Sequence, residues 1–198
     1  MTTVSPIEPP SLALTRLPAT RRALVEALAA EIRTHYSRGR RIVALDAAEP
    51  RADLDAFAAD LGLALRAAGD NVWIAQAADF RDDEQLVRAL LDPFRLGGST
   101  GFVLAAWDAA RDADRIQEWT TGPADAVLLL VGSRLQRPSV RGRWSYTIWV
   151  DLAGEAGAAA SIADDYRDAV RPREAATAVV DLRIVDEPKR LYLDYCAL

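Results

Sequence analysis

The sequence predicts an α/β fold with a mostly parallel, doubly wound sheet. Short apolar, β-branched segments alternate with Ala- and Leu-rich segments of helical spacing along most of the 198 residues. Such alternation is typical of βαβ units, whose strands run parallel and whose helices cover both faces of the sheet. One segment, Ala126–Val131 (AVLLLV), is apolar throughout, which indicates a strand buried on both faces.

The chain opens with a Pro-rich segment that has no hydrophobic periodicity. Met1–Pro18 contains four prolines, and we predict an extended arm there, followed by a single domain over 19–198. Thr20–Tyr36 reads as an amphipathic helix because its apolar residues recur at i, i+4 spacing and Gly39 lies just beyond its end.

Strands and helices then alternate in the predicted order. The predicted strands are Ile42–Leu45, Asn71–Ala75, Phe102–Trp107, Ala126–Val131, Tyr146–Asp151 and a final pair, Ala176–Ile184 and Arg190–Tyr195, that turns at Asp186–Lys189. The predicted helices are Asp53–Ala68, Asp82–Leu91 (ended by Pro93), Ala109–Trp119 and Ala156–Val170.

Composition and charge exclude several classes of function. The net charge of −5 argues against nucleic acid or an anionic membrane as partner. No apolar run approaches the roughly 20 residues that span a bilayer, and no signal-peptide pattern opens the chain. Cys196 is the only cysteine, so no intrachain disulfide and no Cys-rich metal site can form. We therefore expect a cytoplasmic protein without a metal site.

The turn after the first strand is where many nucleotide-binding proteins hold phosphate. The motif G-x-x-x-x-G-K-[ST] lets backbone N–H groups surround the phosphates and places a Lys on the terminal ones. This chain has Ala47–Asp53 (AAEPRAD) in that turn. Pro50 has no N–H to offer, and the carboxylate of Asp53 would repel a phosphate. The sequence therefore predicts no phosphate cradle in this turn.

Several segments, taken in order, resemble the bacterial uridine kinase-like group of P-loop nucleoside kinases. They span about Arg21–Leu182 and read RRALVEALAAEIRTHYSRGRRIVALD, NVWIAQAADF, ALLDPFRLGG, DAVLLLVGSRLQRPSVRGRWSYTIWVDL and PREAATAVVDL. The resemblance implies a P-loop NTPase fold, a three-layer α/β/α sandwich. It also implies phosphoryl transfer from ATP to a nucleoside or similar hydroxyl, with Mg²⁺.

The residues that the family uses for catalysis differ in this chain. Asp46 matches the acid that ends the family's first strand, but Ala47 replaces the Gly after it, and the Lys position falls near Asp53. The family's proton-accepting Asp, after the second strand, corresponds to Ala78. The neighbouring Asp79 would point to the opposite side of an extended strand.

Three further features of the family are also missing. The fourth predicted strand ends Val131-Gly132, where the family has an acid near the metal, and Gly154–Ser161 has none of the arginines of the family's lid helix. Most of the family's substrate-binding insertion after Phe80 is absent as well. These losses predict a protein without catalytic residues, ATP or Mg²⁺ that acts by binding or assembly. Its partner is left open as a second copy, another protein or a small molecule.

If a binding cleft survives, it lies at the carboxyl edge of the sheet. The residues predicted to line this remnant cleft are Asp46, Glu49, Arg51, Asp53, Asp79 and Arg134. Two alternatives stay open. One is an active ATP- and Mg²⁺-dependent nucleoside or small-molecule kinase in which Arg51, Arg81 and Arg134 converge. The other is a small-ligand enzyme that uses Glu49, Asp53 or Asp79.

Other notable residues have plain structural interpretations. His35 is expected to interact with the dipole of its own helix, and Gly97–Gly101 to form a loop. Asp82 and Asp83 are placed where a helix N-terminus favours acids, which we prefer to a cation site. The Tyr192/Tyr195 segment is predicted to be an edge strand available for pairing.

Overall fold

A six-stranded sheet forms the centre of the protein. The computed structural model describes residues 9–153 and 165–192. The strands are β1 (Arg41–Ala47), β2 (Val72–Gln76), β3 (Phe102–Val103), β4 (Trp107–Asp108), β5 (Ala113–Asp114), β6 (Trp119–Thr120), β7 (Val127–Ser133), β8 (Tyr146–Asp151), β9 (Ala178–Asp181) and β10 (Lys189–Leu191).

Helices flank the sheet, and none in the described ranges is long and apolar enough to cross a membrane. They are α1 (Pro10–Leu14), α2 (Ala19–His35), α3 (Ala52–Ala67), α4 (Asp83–Leu86), α5 (Asp92–Leu96), α6 (165–170) and α7 (Pro172–Ala175). A π-helical segment, Val87–Leu91, joins α4 to α5, and one 3₁₀ turn, Ala77–Asp79, follows β2.

The strand order in the sheet is β10-β9-β8-β1-β7-β2. Neighbouring strands are parallel, apart from β10, which runs antiparallel to β9 at the edge. The four short strands form two separate antiparallel pairs, β3 with β6 and β4 with β5. The mostly parallel α/β sheet predicted from the alternation is thus confirmed.

Alternate residues of the central strands face two different hydrophobic layers. On β1, Val43 and Leu45 pack with residues of α2 and α3, whereas Ile42 and Ala44 pack with the α4–α5 region on the other face. The AVLLLV strand, β7, contributes to both layers and is fully buried between β1 and β2. The protein is therefore a three-layer sandwich, because a parallel sheet needs helices on both faces.

The N-terminal region is partly helical, so the expectation of an extended arm is wrong over Pro10–Leu14. Pro10 begins this helix, at a position where a missing N–H costs nothing. Leu14 at its end is buried in the layer that contains α2 and α3. Residues 1–8 of the expected arm lie outside the described residues. The next predicted helix is confirmed as Ala19–His35.

The helix expected at Asp82–Leu91 extends further than predicted. It continues through the π-helical segment and past Pro93 to Leu96, and it ends at Gly97, whose φ is 70°. Pro93 occupies the first turn of α5, where its lack of an N–H is tolerated. The expectation that Pro93 ends the helix is therefore wrong.

The region between α5 and β7 has no helix, although one was predicted at Ala109–Trp119. Asp108 Oδ1 instead accepts the N–H groups of Ala110 (3.1 Å) and Arg111 (3.3 Å), and Asp112 has a left-handed φ of 50°. These features turn the chain back so that β4 pairs with β5. The single strand predicted at Phe102–Trp107 is also wrong, since β3 and β4 are separate and neither joins the main sheet.

The C-terminal elements follow the prediction where they are described. Residues 165–170 are helical, while 156–164 of the predicted helix lie outside the described residues. The final strand pair is confirmed as β9 and β10. The two strands are antiparallel, and Lys189 pairs with Asp181. Tyr192 is 82% exposed beside this edge strand, and Tyr195 lies outside the described residues.

Candidate functional site

Asp46 is the most enclosed polar side chain at the carboxyl edge of the sheet. It lies on β1 between β7 and β8 and is 0% exposed. Its Oδ1 accepts the N–H of Leu135 at 3.1 Å, and its Oδ2 accepts the hydroxyl of Tyr166 at 2.6 Å. The same hydroxyl accepts the N–H of Gln136 at 2.8 Å. Both carboxylate oxygens are therefore engaged within the protein.

Burial dominates the electrostatics of this carboxyl group. Desolvation raises the pKa of Asp46 from 3.8 to about 6, although hydrogen bonds from Tyr166 and from the backbone of residues 134–136 act in the opposite direction. Burial likewise raises the pKa of Tyr166, with the negative charge of Asp46 adding to the effect. The tyrosine is thus a neutral hydrogen-bond donor to Asp46 at neutral pH.

The loop after β7 brings the backbone donors to Asp46. Arg134 follows the end of β7 with a left-handed φ of 62°, a conformation that residues other than glycine rarely adopt. Leu135 and Gln136 come next, and both side chains are buried. The left-handed residue turns the chain, and the N–H groups after it then reach the carboxylate and Tyr166.

Tyr166 also covers the carboxyl ends of β1 and β8. Its ring lies 6.3 Å from that of Trp149, measured between centroids, and it packs in one buried cluster with Ala48 and Val179. An aromatic side chain thus closes the sheet edge next to the crossover turn between β1 and α3.

The crossover turn itself is a plain strand-to-helix connection. No residue in 46–54 has a positive φ, whereas an N–H-lined anion nest alternates right- and left-handed residues. Arg51 is extended at the start of α3 (φ −146°, ψ 152°), and its carbonyl oxygen accepts the N–H groups of Leu54 and Asp55. Pro50 supplies no N–H, so a continuous set of donors cannot form here.

The remaining predicted cleft residues contact separate partners. Arg51 donates to the carbonyl of Ala153, and its Nη2 lies 3.7 Å from Asp53 Oδ2. Glu49 has one buried carboxylate oxygen, Oε1, that has no hydrogen-bond partner among the residues described. Asp79 Oδ1 lies 3.5 Å from Arg115 Nη2, on the side of the β4–β5 hairpin. The structure therefore brings Arg51 together with Asp53, and residues 134–136 together with Asp46.

The three arginines that an active kinase would need share no partner in the part of the chain that the structure describes. Arg51 contacts Ala153 and Asp53, while the side chain of Arg134 is exposed. Arg81 lies 3.4 Å from Asp82, and its guanidinium stacks 5.6 Å from the ring centre of Trp107. No common anion site follows from these contacts.

The two acidic residues at the start of α4 have structural roles: Asp82 caps the helix and Asp83 forms an ion pair. Asp82 Oδ1 accepts the N–H of Gln85 at 2.8 Å, which confirms its expected place at the helix N-terminus. Asp83 binds Arg137 and Ser139. Across residues 9–153 and 165–192, no three His, Cys, Asp or Glu side chains are grouped closely enough to hold a metal ion.

Sequence reasoning found Asp46 but missed the groups that enclose it. Tyr166 lies 120 positions away in the chain, and Leu135 and Gln136 contribute through backbone N–H groups. Backbone donors have no residue signature. The sequence signal available for Tyr166 is a lone tyrosine in a charged helical segment, DYRDAV.

Comparison with known proteins identifies the fold. No protein-family model and no curated protein sequence matches the chain. A solved structure described as a possible uridine kinase from Bacillus stearothermophilus superposes with a TM-score of 0.67 at 18% identity, over 80% of this chain and 97% of that one. A proposed fructose transport system kinase from Silicibacter sp. TM1040 aligns at 20% identity over 77% and 94%, with a TM-score of 0.48. The chain has the uridine kinase-like P-loop α/β fold.

Proposed function

We propose that this chain is a noncatalytic protein on a P-loop kinase-like fold, which acts by binding or assembly and uses neither ATP nor Mg²⁺. The observation that carries the proposal is the crossover turn, which has no left-handed residue and no N–H at Pro50. Asp53 adds a negative charge where a phosphate-binding turn has a Lys.

Chemical requirements support the same proposal. Phosphoryl transfer depends on positioning and on neutralising the charge of the phosphates. Asp46, the acid retained from the family pattern, is hydrogen-bonded through both oxygens to Leu135 and Tyr166. A carboxylate enclosed in this way is not available to a hydrated Mg²⁺ ion, so the residues present do not fit the ATP–Mg²⁺ pair.

Titration calorimetry with ATP–Mg²⁺ tests the proposal, with Asp53→Lys as the matched variant. We expect no saturable heat for either protein up to about 1 mM ATP, because Lys removes the repelling charge without rebuilding the backbone cradle. Micromolar binding by the natural chain, together with phosphorylation of a nucleoside, would show that the protein is an active kinase with a nonstandard phosphate site.

Assembly in the cytoplasm, with a homodimer as the simplest form, is part of the proposal. Large apolar side chains left exposed support it: Leu96 is 77% exposed, Ile116 93% and Trp119 62%. Sedimentation velocity tests this point, since a dimer has twice the 21.6 kDa of one chain. An Ile116→Ser and Trp119→Ser double variant should then shift toward the monomer, whereas a natural chain that sediments as a monomer contradicts the homodimer.

A further inference from the structure

A cavity lined by arginines lies at the carboxyl edge of the sheet, beside the ends of β8 and β9. Its volume is about 310 Å³, and it is lined by Asp151, Leu152, Arg167, Arg173 and Arg183. Asp151 ends β8, and β9 ends beside it at Asp181. The carboxyl edge of an open α/β sheet is where ligands bind. Neither the crossover turn nor Asp46 contributes to this cavity.

The three guanidinium groups reach the cavity from three different elements. Arg167 lies on α6, Arg173 on α7, and Arg183 in the segment that follows β9. Arg171, between the two helices, has a left-handed φ of 49°. This sharp turn brings α7 back toward the end of β8, where the Nε of Arg173 meets Asp151.

The acids at the strand ends fix the direction of two of these arginines. Asp151 Oδ2 accepts from Arg173 Nε at 3.3 Å, while its Oδ1 accepts from the indole N–H of Trp149 at 2.8 Å. Asp181 accepts from Arg183 Nε at 2.9 Å and Nη2 at 2.6 Å, and these bonds lower the pKa of Asp181 to about 2. Arg173 and Arg183 are therefore both held by a hydrogen bond from Nε to an aspartate at a strand end.

Arg173 and Arg183 keep N–H donors that no residue in the described ranges accepts. A guanidinium has five N–H donors. Within the described residues, Arg173 uses one of its donors in a hydrogen bond and Arg183 uses two. The two side chains are 41% and 63% exposed. Arg167 has a further interaction of its own, so the donors available to a ligand are those of Arg173 and Arg183.

We propose that this cavity binds the phosphate group of a small molecule. Arginine forks match phosphate oxygens in pairs and hold them through charge-assisted hydrogen bonds. Donors that arrive from several elements suit a tetrahedral group with three free oxygens, whereas a planar carboxylate is satisfied by one fork. The proposal is independent of ATP binding at the crossover turn.

Inorganic phosphate is the probe for this site. The test follows the side-chain Nε–H signals of arginine in ¹⁵N-labelled full-length protein as phosphate replaces chloride at constant ionic strength. We expect saturable shifts of the Arg173 and Arg183 signals with a millimolar dissociation constant, and at least about a 10-fold loss of affinity in Arg173→Gln. Arg173→Lys should bind with intermediate affinity because Lys keeps the charge and loses the fork.

Matched controls make the result decisive. Arg111→Gln removes an arginine whose side chain is 83% exposed and lies on the β4–β5 hairpin, and it should leave phosphate affinity unchanged. Arg183→Gln provides a second test at the cavity if Arg173→Gln fails to fold. Unsaturable shifts, or equal affinity in the Arg173→Gln and Arg111→Gln proteins, overturn the proposal. Tighter binding of malonate than of phosphate overturns the assignment to a phosphate group.

Discussion

The hydroxyl of Tyr166 donates a 2.6 Å hydrogen bond to the carboxylate of Asp46, although the two residues are 120 positions apart in the chain. Asp46 is completely buried on β1, and Tyr166 comes from the helix that precedes α7. The bond fixes the C-terminal part of the chain over the centre of the sheet. Burial nevertheless makes the ionisation of this carboxyl group unfavourable, although the hydrogen bond from Tyr166 favours the charged form.

Asp46 should make the stability of the protein depend on pH. Its pKa rises from 3.8 to about 6 on folding, so the folded state binds the proton more tightly than the unfolded state does. The stabilisation from the protonated form is complete below about pH 4 and is lost as the pH rises through about 6. At 1.36 kcal/mol per pKa unit, the loss is on the order of 3 kcal/mol.

Urea unfolding between pH 4 and pH 8 measures this effect when Asp46→Asn is compared with the natural chain. Asn cannot ionise, so its free energy of unfolding should lack the decline between about pH 4 and 6. Asp92→Asn is the matched control, because the Asp92 side chain is 52% exposed and ion-paired at the surface. Parallel curves for the natural and Asp46→Asn proteins would refute the raised pKa of Asp46.

Tyr166→Phe should destabilise the protein by about 1–3 kcal/mol at pH 7. The change removes the donor to Asp46 and leaves the buried N–H of Gln136 without its acceptor. The loss should be smaller at pH 4.5, where Asp46 is protonated and needs the donor less. Equilibrium unfolding at both pH values measures it.

Tyr192→Phe is the control for Tyr166→Phe because its ring is 82% exposed. It should change the free energy of unfolding by less than about 0.5 kcal/mol. An equal cost for the two substitutions would mean that the Tyr166 hydroxyl contributes nothing specific.

The sequence predicts the central strands well because a strand that is buried on both faces consists mainly of apolar residues. The segments that form β1, β7 and β8 are mostly apolar, which is typical of parallel strands that are buried on both faces. The predicted crossover position also follows from the alternation, since β1 is followed at once by α3. These features need no information about distant parts of the chain.

Local polar contacts and long-range contacts explain the errors. Ala109–Trp119 is rich in helix-forming residues, but the side chain of Asp108 binds the backbone at its start and all of residues 109–119 are exposed. Without an apolar face to bury, helix propensity does not decide the structure. The enclosure of Asp46 depends on Tyr166 and on backbone N–H groups, and no local pattern identifies either of them as a partner of Asp46.

Arg190→Gln should cost about 2 kcal/mol of stability because Arg190 connects three elements. It binds Glu31 on α2 from the edge strand β10, and Glu31 accepts the hydroxyl of Tyr146 on β8 at 2.6 Å. Both charged side chains are about four-fifths buried, so an unpaired Glu31 would be poorly solvated. Thermal and urea unfolding measure the loss.

The pH dependence of this ion pair is opposite in sign to that of Asp46. The hydrogen bond from Arg190 lowers the pKa of Glu31 below 4.5, so its contribution is present above that pH and is lost as the pH falls further. Arg143→Gln, which breaks the more exposed pair with Asp92, should cost less than about 1 kcal/mol. If Arg190→Gln lowers the free energy of unfolding no more than Arg143→Gln does, the contact of Arg190 with Glu31 and Tyr146 does not stabilise the protein.

Gly132→Ala should destabilise the protein because Gly132 leaves no room for a side chain. A Cβ added there would lie 2.7 Å from the Cβ of Ala77, in the 3₁₀ turn after β2. Gly132 is also the β7 residue paired with Asp46 in the parallel register of β1, so a shift of this strand would disturb the enclosed carboxylate. We expect a loss of about 1–3 kcal/mol in urea unfolding.

Ala77→Gly alone should cost less than about 1 kcal/mol. Combined with Gly132→Ala, it should restore most of the lost stability, because the two changes exchange one methyl group. Simple additivity of the two substitutions would show that the cost arises elsewhere than in the contact between these two residues.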